Sequence, residues 1–138
     1  MLIKRRITVK AVVTDQLKRR LAAEIQEAMR RLDGEIEGIG RQLKRLEREG
    51  GDARALEQCR QQREARIRKK ASLLEQLKQL PQLPNGQEIV QGSVEGLVEV
   101  RMGDRWDDIQ GAEIVLRDGR VVALRDPLRE GGKPSDRQ

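Results

Sequence analysis

Residues 7–21 read ITVKAVVTDQLKRRL, and the period of the chain changes inside this stretch. Ile7, Val9, Ala11 and Val13 alternate on one face, and the segment is rich in β-branched side chains, which predicts a strand. Thr14 and Asp15 then offer a helix N-cap and a first-turn carboxylate, both suited to the unpaired backbone N–H groups and positive dipole end of a helix. From Leu17 the apolar positions become Leu21, Ile25, Ala28, Leu32, Ile36, Ile39, Leu43 and Leu46. Their mean step is about 3.6, so a nearly straight helix follows the strand directly.

Gly50-Gly51 ends that helix with a left-handed C-cap, and Asp52 caps a second one carrying Leu56, Cys59, Ile67, Leu74, Leu77 and Leu80 before Pro81 and Pro84. A two-glycine link makes the pair an antiparallel helical hairpin, its helices about 50 and 40 Å long. Beyond it the period returns to two. Val94, Val98 and Val100 are evenly spaced, with Gly92 and Gly96 where a bulge or bend is cheap, so one bent strand or two short ones fit. Ile114–Arg117 and Arg120–Leu124 flank Asp118-Gly119, a type I′ hairpin signal.

These elements predict an α+β protein. The expected β domain is a five-strand barrel or curled antiparallel sheet made from both chain ends, with the helical hairpin inserted after the first strand as a coiled coil. The expected divisions are an N-terminal strand over 1–14, the hairpin arm over 15–80, the rest of the β domain over 81–126 and a disordered tail over 127–138.

Composition narrows the chemistry. Of 138 residues 38% are charged, one is aromatic (Trp106), one is Cys (Cys59), and there is no His. An internal disulfide is impossible, Cys59 has no imidazole to activate it, and the usual zinc ligand sets are absent. The start MLIKRRITVKAVV carries no long apolar core, and no membrane-length apolar run follows. The expectation is a cytoplasmic protein without cofactor, metal or catalytic residues. Asp104, Asp107 and Asp108 could gather around Mg²⁺, but carboxylates alone are a weak signal, and a solvated turn with Trp106 capping the sheet is expected instead.

The net charge of +6 is unevenly spread. Lys and Arg outnumber Asp and Glu by 4 to 0 over residues 1–14 and 17 to 12 over 15–80, whereas acids lead 9 to 5 over 81–126. The basic first strand and the acidic C-terminal strands should therefore attract. The densest basic run is RQQREARIRKK at 60–70, with six cations and one acid. Across the hairpin, Glu37 should lie near Arg63, Glu35 near Arg66 and Asp33 near Lys69, with Glu64 and Arg68 paired along the helix. Lys70 should lie near Arg31 with no offsetting acid. Two readings stay open: a solvated face that sets helix register, or a patch of Arg31, Arg60, Arg63, Arg66, Lys69 and Lys70 that contacts RNA phosphates or another polyanion. Such contact would be salt-sensitive and sequence-blind, since no aromatic is present for base stacking.

Gly34, Gly38 and Gly40 each cost a helix about 1 kcal/mol relative to Ala. Close approach of the second helix is the preferred explanation and a hinge the other. Ala22, Ala23, Met29 and Ile36 flank the first helix's main stripe, more apolar surface than one partner helix uses, so a homo-oligomer is expected, or else a protein partner.

The blocks RRITVKAVVTDQLKRRL, RLDGEI, IVQGSVEGLVEVRMGDRW and EIVLRDGRVVALRDP together resemble the YlqD family of uncharacterised bacterial proteins. The resemblance covers most of residues 4–126, and GSVEGLVEV-x-x-GD-x-W is its specific part. The family has no established activity, catalytic residues or cofactor to carry over. In some members the gene lies near ribosome-maturation genes, which implies at most a tilt toward RNA metabolism.

Overall fold

The structure, a computed structural model, describes residues 1–129. They form strand β1 (Leu2–Val12), helices α1 (Asp15–Arg48) and α2 (Ala53–Gln79), strand β2 (Glu88–Glu99), the short helix α3 (Trp106–Gln110), and strands β3 (Glu113–Arg117) and β4 (Arg120–Arg125). The chain divides into two compact units: Met1–Leu17 with everything from Pro84 onward, and Lys18–Leu83.

The first unit is a four-stranded mixed sheet in the order β2-β1-β3-β4. It corrects the five-strand antiparallel expectation in three ways. Residues 88–99 form one strand, because Gln91 is accommodated as a bulge where the pairing jumps from Val9–Gly92 to Lys10–Val90; a bulge bends a strand without breaking it. Residues 106–110 are helical. β1 is the interior strand, antiparallel to β2 but parallel to β3 from Thr8–Glu113 to Ala11–Leu116. A parallel neighbour needs a long crossover, and here everything between β1 and β3 serves as one.

The sheet is curled without closing into a barrel. Lys10, Glu113, Arg125 and Glu88 share one face by register. In a flat sheet the backbones of edge strands β2 and β4 would stand about 14 Å apart, three strand spacings. Yet Arg125 donates two bonds to Glu88, at 2.6 and 2.7 Å, and also lies 3.6 Å from Glu113, which pairs with Lys10. The two edges are therefore drawn toward each other across this face. On the opposite face Gly96 leaves room for Ile7: a Cβ there would sit 2.6 Å from Ile7 Cδ1, the movable end of that side chain.

Local signals are realised closely. Asp118 and Gly119 both have positive φ, 49° and 83°, as a type I′ turn demands. The Thr14 hydroxyl oxygen accepts from Leu17 N at 3.1 Å, capping α1, and the hydroxyl donates to Asp118 at 2.6 Å. Ile109 of α3, 1% exposed, joins Val13, Ala112 and Val115 among the buried residues. Trp106 does not cap the sheet; it is 62% exposed. Residues 127–129, expected to belong to a disordered tail, form a helical turn in which Leu128 N donates to Asp126. The rest of that expected tail, 130–138, lies outside the described residues.

The second unit is the helical hairpin. Gly50, at φ 67°, supplies the left-handed turn after α1, and Asp52 accepts from Arg54 N at 3.2 Å to cap α2. Leu32, Leu43, Cys59 and Leu80 are its buried apolar side chains. The Cys59 thiol donates weakly to the Ile39 carbonyl, 3.9 Å away, consistent with a seam residue. α1 runs unbroken through Gly34, Gly38 and Gly40. The close-packing explanation for them is overturned: a Cβ at Gly34 or Gly40 would meet nothing within 4 Å, and at Gly38 only the Arg41 guanidinium at 3.7 Å.

Candidate functional site

The basic run at 60–70 lies on α2 and is largely neutralised by α1 and by itself. Arg66 lies 3.9 Å from Glu35, as the hairpin register predicts, and Arg68 lies 3.9 Å from Glu64 one turn away on the same helix. Asp33 is taken by Lys70, at 2.5 Å, and not by Lys69, so Lys70 is the offset cation and the expected Lys70–Arg31 repulsion is relieved. Arg60 reaches Glu47 at 3.8 Å. Exposed pairs of this type contribute about 0.2–1 kcal/mol each, enough to fix register between helices whose middle is poor in apolar contacts.

Arg31, Arg63 and Lys69 form no ion pair among the described residues. The structure does not gather them into one patch. Arg31 and Lys69 line a groove of about 290 Å³ with Ala28, Leu32, Glu35 and Leu73. Arg63 lines a different one, of about 480 Å³, with Arg41, Lys44, Glu37 and Glu47.

Between Ile67 and Leu74 sits Lys70, and between Met29 and Ile36 sits Asp33. On a helix, residues three and four apart are neighbours, so the Lys70–Asp33 pair brings these two apolar rows to the same side of the hairpin. Ile67 and Leu74 are nevertheless 45% and 41% exposed. The sequence places Ile67 and Leu74 in one apolar row with Cys59 and Leu80, but α2 turns Arg66 and Lys70 toward α1 and leaves Ile67 and Leu74 largely outside. Spacing alone does not separate this row from the seam, since Ile25, Leu32, Ile39 and Leu46 on α1 and Cys59, Leu73 and Leu80 on α2 recur at multiples of seven as well.

The other charged centre was missed. Arg5 continues the Ile7, Val9, Ala11 alternation backward onto the buried face of β1, so its position was legible although its role was not. Its side chain is 8% exposed and holds the 18% exposed Asp126 through two bonds of 3.2 and 2.8 Å, while donating to the Ile109 carbonyl at 3.2 Å. The Arg5 guanidinium keeps the Asp126 carboxyl below the usual carboxylate range, against the opposing effect of burial. Arg125 likewise lowers Glu88, and its own pKa is raised in return. Asp104, Asp107 and Asp108 do not assemble a metal centre: Asp104 accepts from Arg101 N at 2.7 Å, and no group of three or more potential ligands is placed to hold a metal ion among the described residues.

The architecture defines a class: a curled four-strand mixed sheet whose first strand leads into a long helical hairpin. Comparison with known proteins gives that class a family. The family model of the YlqD protein matches residues 1–125, and the chain belongs to the YlqD family. It is 30% identical over 121 residues to the uncharacterized protein YlqD of Bacillus subtilis (strain 168), covering 87% of this chain and 94% of the relative. A crystal structure of a protein of unknown function from Synechococcus sp. WH 8102 superposes with a TM-score of 0.75 at 27% identity, covering 91% of this chain and 94% of that one. No helix among the described residues is long and apolar enough to cross a membrane.

Proposed function

We propose that this is a non-enzymatic, cytoplasmic interaction protein that self-associates through its helical hairpin. The observation that carries the reading is the exposure of Ile67 and Leu74 beside Met29 and Ile36, on the side marked by the Lys70–Asp33 pair. Burying one such side chain is worth about 1.5–3 kcal/mol. A second hairpin docked on this row would supply the apolar layer that four buried side chains per hairpin do not. Size-exclusion chromatography with light scattering tests this. Wild type should run as a dimer, and Ile67→Asp/Leu74→Asp as a monomer with unchanged helicity. A monomeric wild type, or a double variant that still dimerises, refutes the reading.

A second reading rests on Arg31 and Lys69, cations that share one groove without an ion partner among the described residues. They would suit a polyanion such as RNA, with affinity falling steeply as salt rises. Filter binding of wild type and Arg31→Glu/Lys69→Glu, at low and high salt, decides that one.

A further inference from the structure

The two outer edges of the sheet are built differently. β4 has β3 on one side and no strand on the other, so its outward N–H and C=O groups are an open template for another strand. Val121-Val122-Ala123-Leu124 is an unbroken apolar run on this edge, and Val121, Val122 and Leu124 are each more than half exposed. No charge interrupts the run and no Pro blunts it. The β2 edge carries a bulge at Gln91, glycines at 92 and 96, and the acids Glu95 and Glu99, devices that discourage strand addition.

Charge decides which strand fits. Arg117 and Arg120 stand directly opposite each other at the turn end of the β3–β4 ladder, and like charges so placed repel. Neither has an ion partner among the described residues. The acids around them are engaged: Asp118 accepts from the Thr14 hydroxyl, Glu113 pairs with Lys10, and Glu88 holds Arg125 at the far end of β4. A second copy of the chain answers poorly. Symmetric pairing of two β4 strands with Val121 against Leu124 sets Arg120 against Arg125 twice. The acids of the β2 edge are committed within their own chain, Glu95 opposite Arg6 and Glu99 3.5 Å from the Met1 amino group. Val121 and Leu124 pair with Leu116 and Ile114 and share one face, whereas Arg120 pairs with Arg117 on the other. An extended segment with acidic and apolar residues in alternation therefore meets both faces at once.

We propose that the β4 edge binds an extended acidic and apolar segment of a partner protein by strand addition, with Arg117 and Arg120 selecting for the acid. The probe is a capped peptide of alternating Val and Glu. A Val and Lys peptide of the same length, and the Val and Glu peptide with a central Pro that removes a backbone donor, are the controls. Calorimetry and amide chemical shifts of the full chain, carrying Ile67→Asp/Leu74→Asp to keep the hairpin row out of play, read the result. The Val and Glu peptide should bind saturably and shift resonances over residues 113–125, and both controls should bind much more weakly. Arg120→Glu replaces the Arg117–Arg120 repulsion by an attraction and so leaves the fold intact; it should weaken the Val and Glu peptide about fivefold and favour the Val and Lys peptide. Absence of saturable binding overturns the proposal. So do equal affinities for the Glu and Lys peptides, an Arg120→Glu affinity equal to wild type, or shifts centred on residues 88–99. Concentration-dependent shifts over 120–125 without peptide overturn it too, by giving the edge to a second copy.

Discussion

Asp126→Asn keeps the shape of its side chain but removes the charge that answers Arg5. Arg5 is the deeper partner, 8% exposed against 18% for Asp126, so the substitution strands a buried guanidinium with the Ile109 carbonyl and a neutral amide. Breaking a fully buried pair costs about 3–5 kcal/mol. Partial access to water on the Asp126 side lowers this to about 3 kcal/mol for Asp126→Asn, and Arg5→Met, which leaves the better-hydrated carboxylate behind, should cost about 2 kcal/mol. The double variant should cost less than the two summed, with a coupling of about 2 kcal/mol. Urea unfolding followed by Trp106 fluorescence reports the sheet unit alone, since Trp106 is the only aromatic residue and lies in that unit. Costs that add to within about 0.5 kcal/mol, or Arg5→Met costing more than Asp126→Asn, would show that Arg5 and Asp126 do not act as a coupled buried pair.

The same pair has a pH signature. The Asp126 pKa is lowered on folding, so its stabilisation is present above the unfolded-state value of about 3.9 and fades as pH falls through the lower folded value; an acid titration of Asp126→Asn should lack that component. Gly34→Ala/Gly40→Ala should raise hairpin stability by about 1 kcal/mol per site, because an added Cβ meets nothing within 4 Å, and thermal melting by circular dichroism reads the gain. Gly96→Ala should give no such gain in the urea assay, because its Cβ must displace Ile7 Cδ1, which lies 2.6 Å away. Ile109→Ala, at a side chain 1% exposed, should cost about 2–5 kcal/mol in the urea assay.

Features set by neighbours in sequence were legible, and features set by distant pairing were not. The cap at Thr14, the turn at Gly50, the cap at Asp52 and the Asp118-Gly119 turn each depend on residue types within a few positions of one another, and all four stand where the sequence placed them. The place of β1 in the sheet depends on which of two edges each later strand takes. Its alternation is equally compatible with an edge that closes a barrel and with an interior strand, so the parallel β1–β3 ladder could not be foreseen. Trp106 misled for a related reason. A lone aromatic in an apolar-poor chain invites assignment to the core, but α3 buries Ile109 in its stead.

The hairpin repeats this lesson in its charges and gives it a functional edge. Register symmetric about the Gly50 turn gave the Glu35–Arg66 pair correctly and missed the identity of Asp33's partner by one residue, and one residue on a helix is a rotation of about 100°. That rotation decides which side chains of α2 face α1. With Lys70 on Asp33, the centre of the hairpin is closed by ion pairs worth about 0.2–1 kcal/mol each, while Ile67 and Leu74, each worth about 1.5–3 kcal/mol if buried, remain outside. A hairpin optimised for its own stability would carry the reverse arrangement. Exchanging the two kinds of residue, with Lys70→Leu and Ile67→Lys, should therefore stabilise the hairpin while abolishing the proposed dimer. An exchange that stabilises the protein and leaves the dimer intact would remove the outward row from any part in self-association.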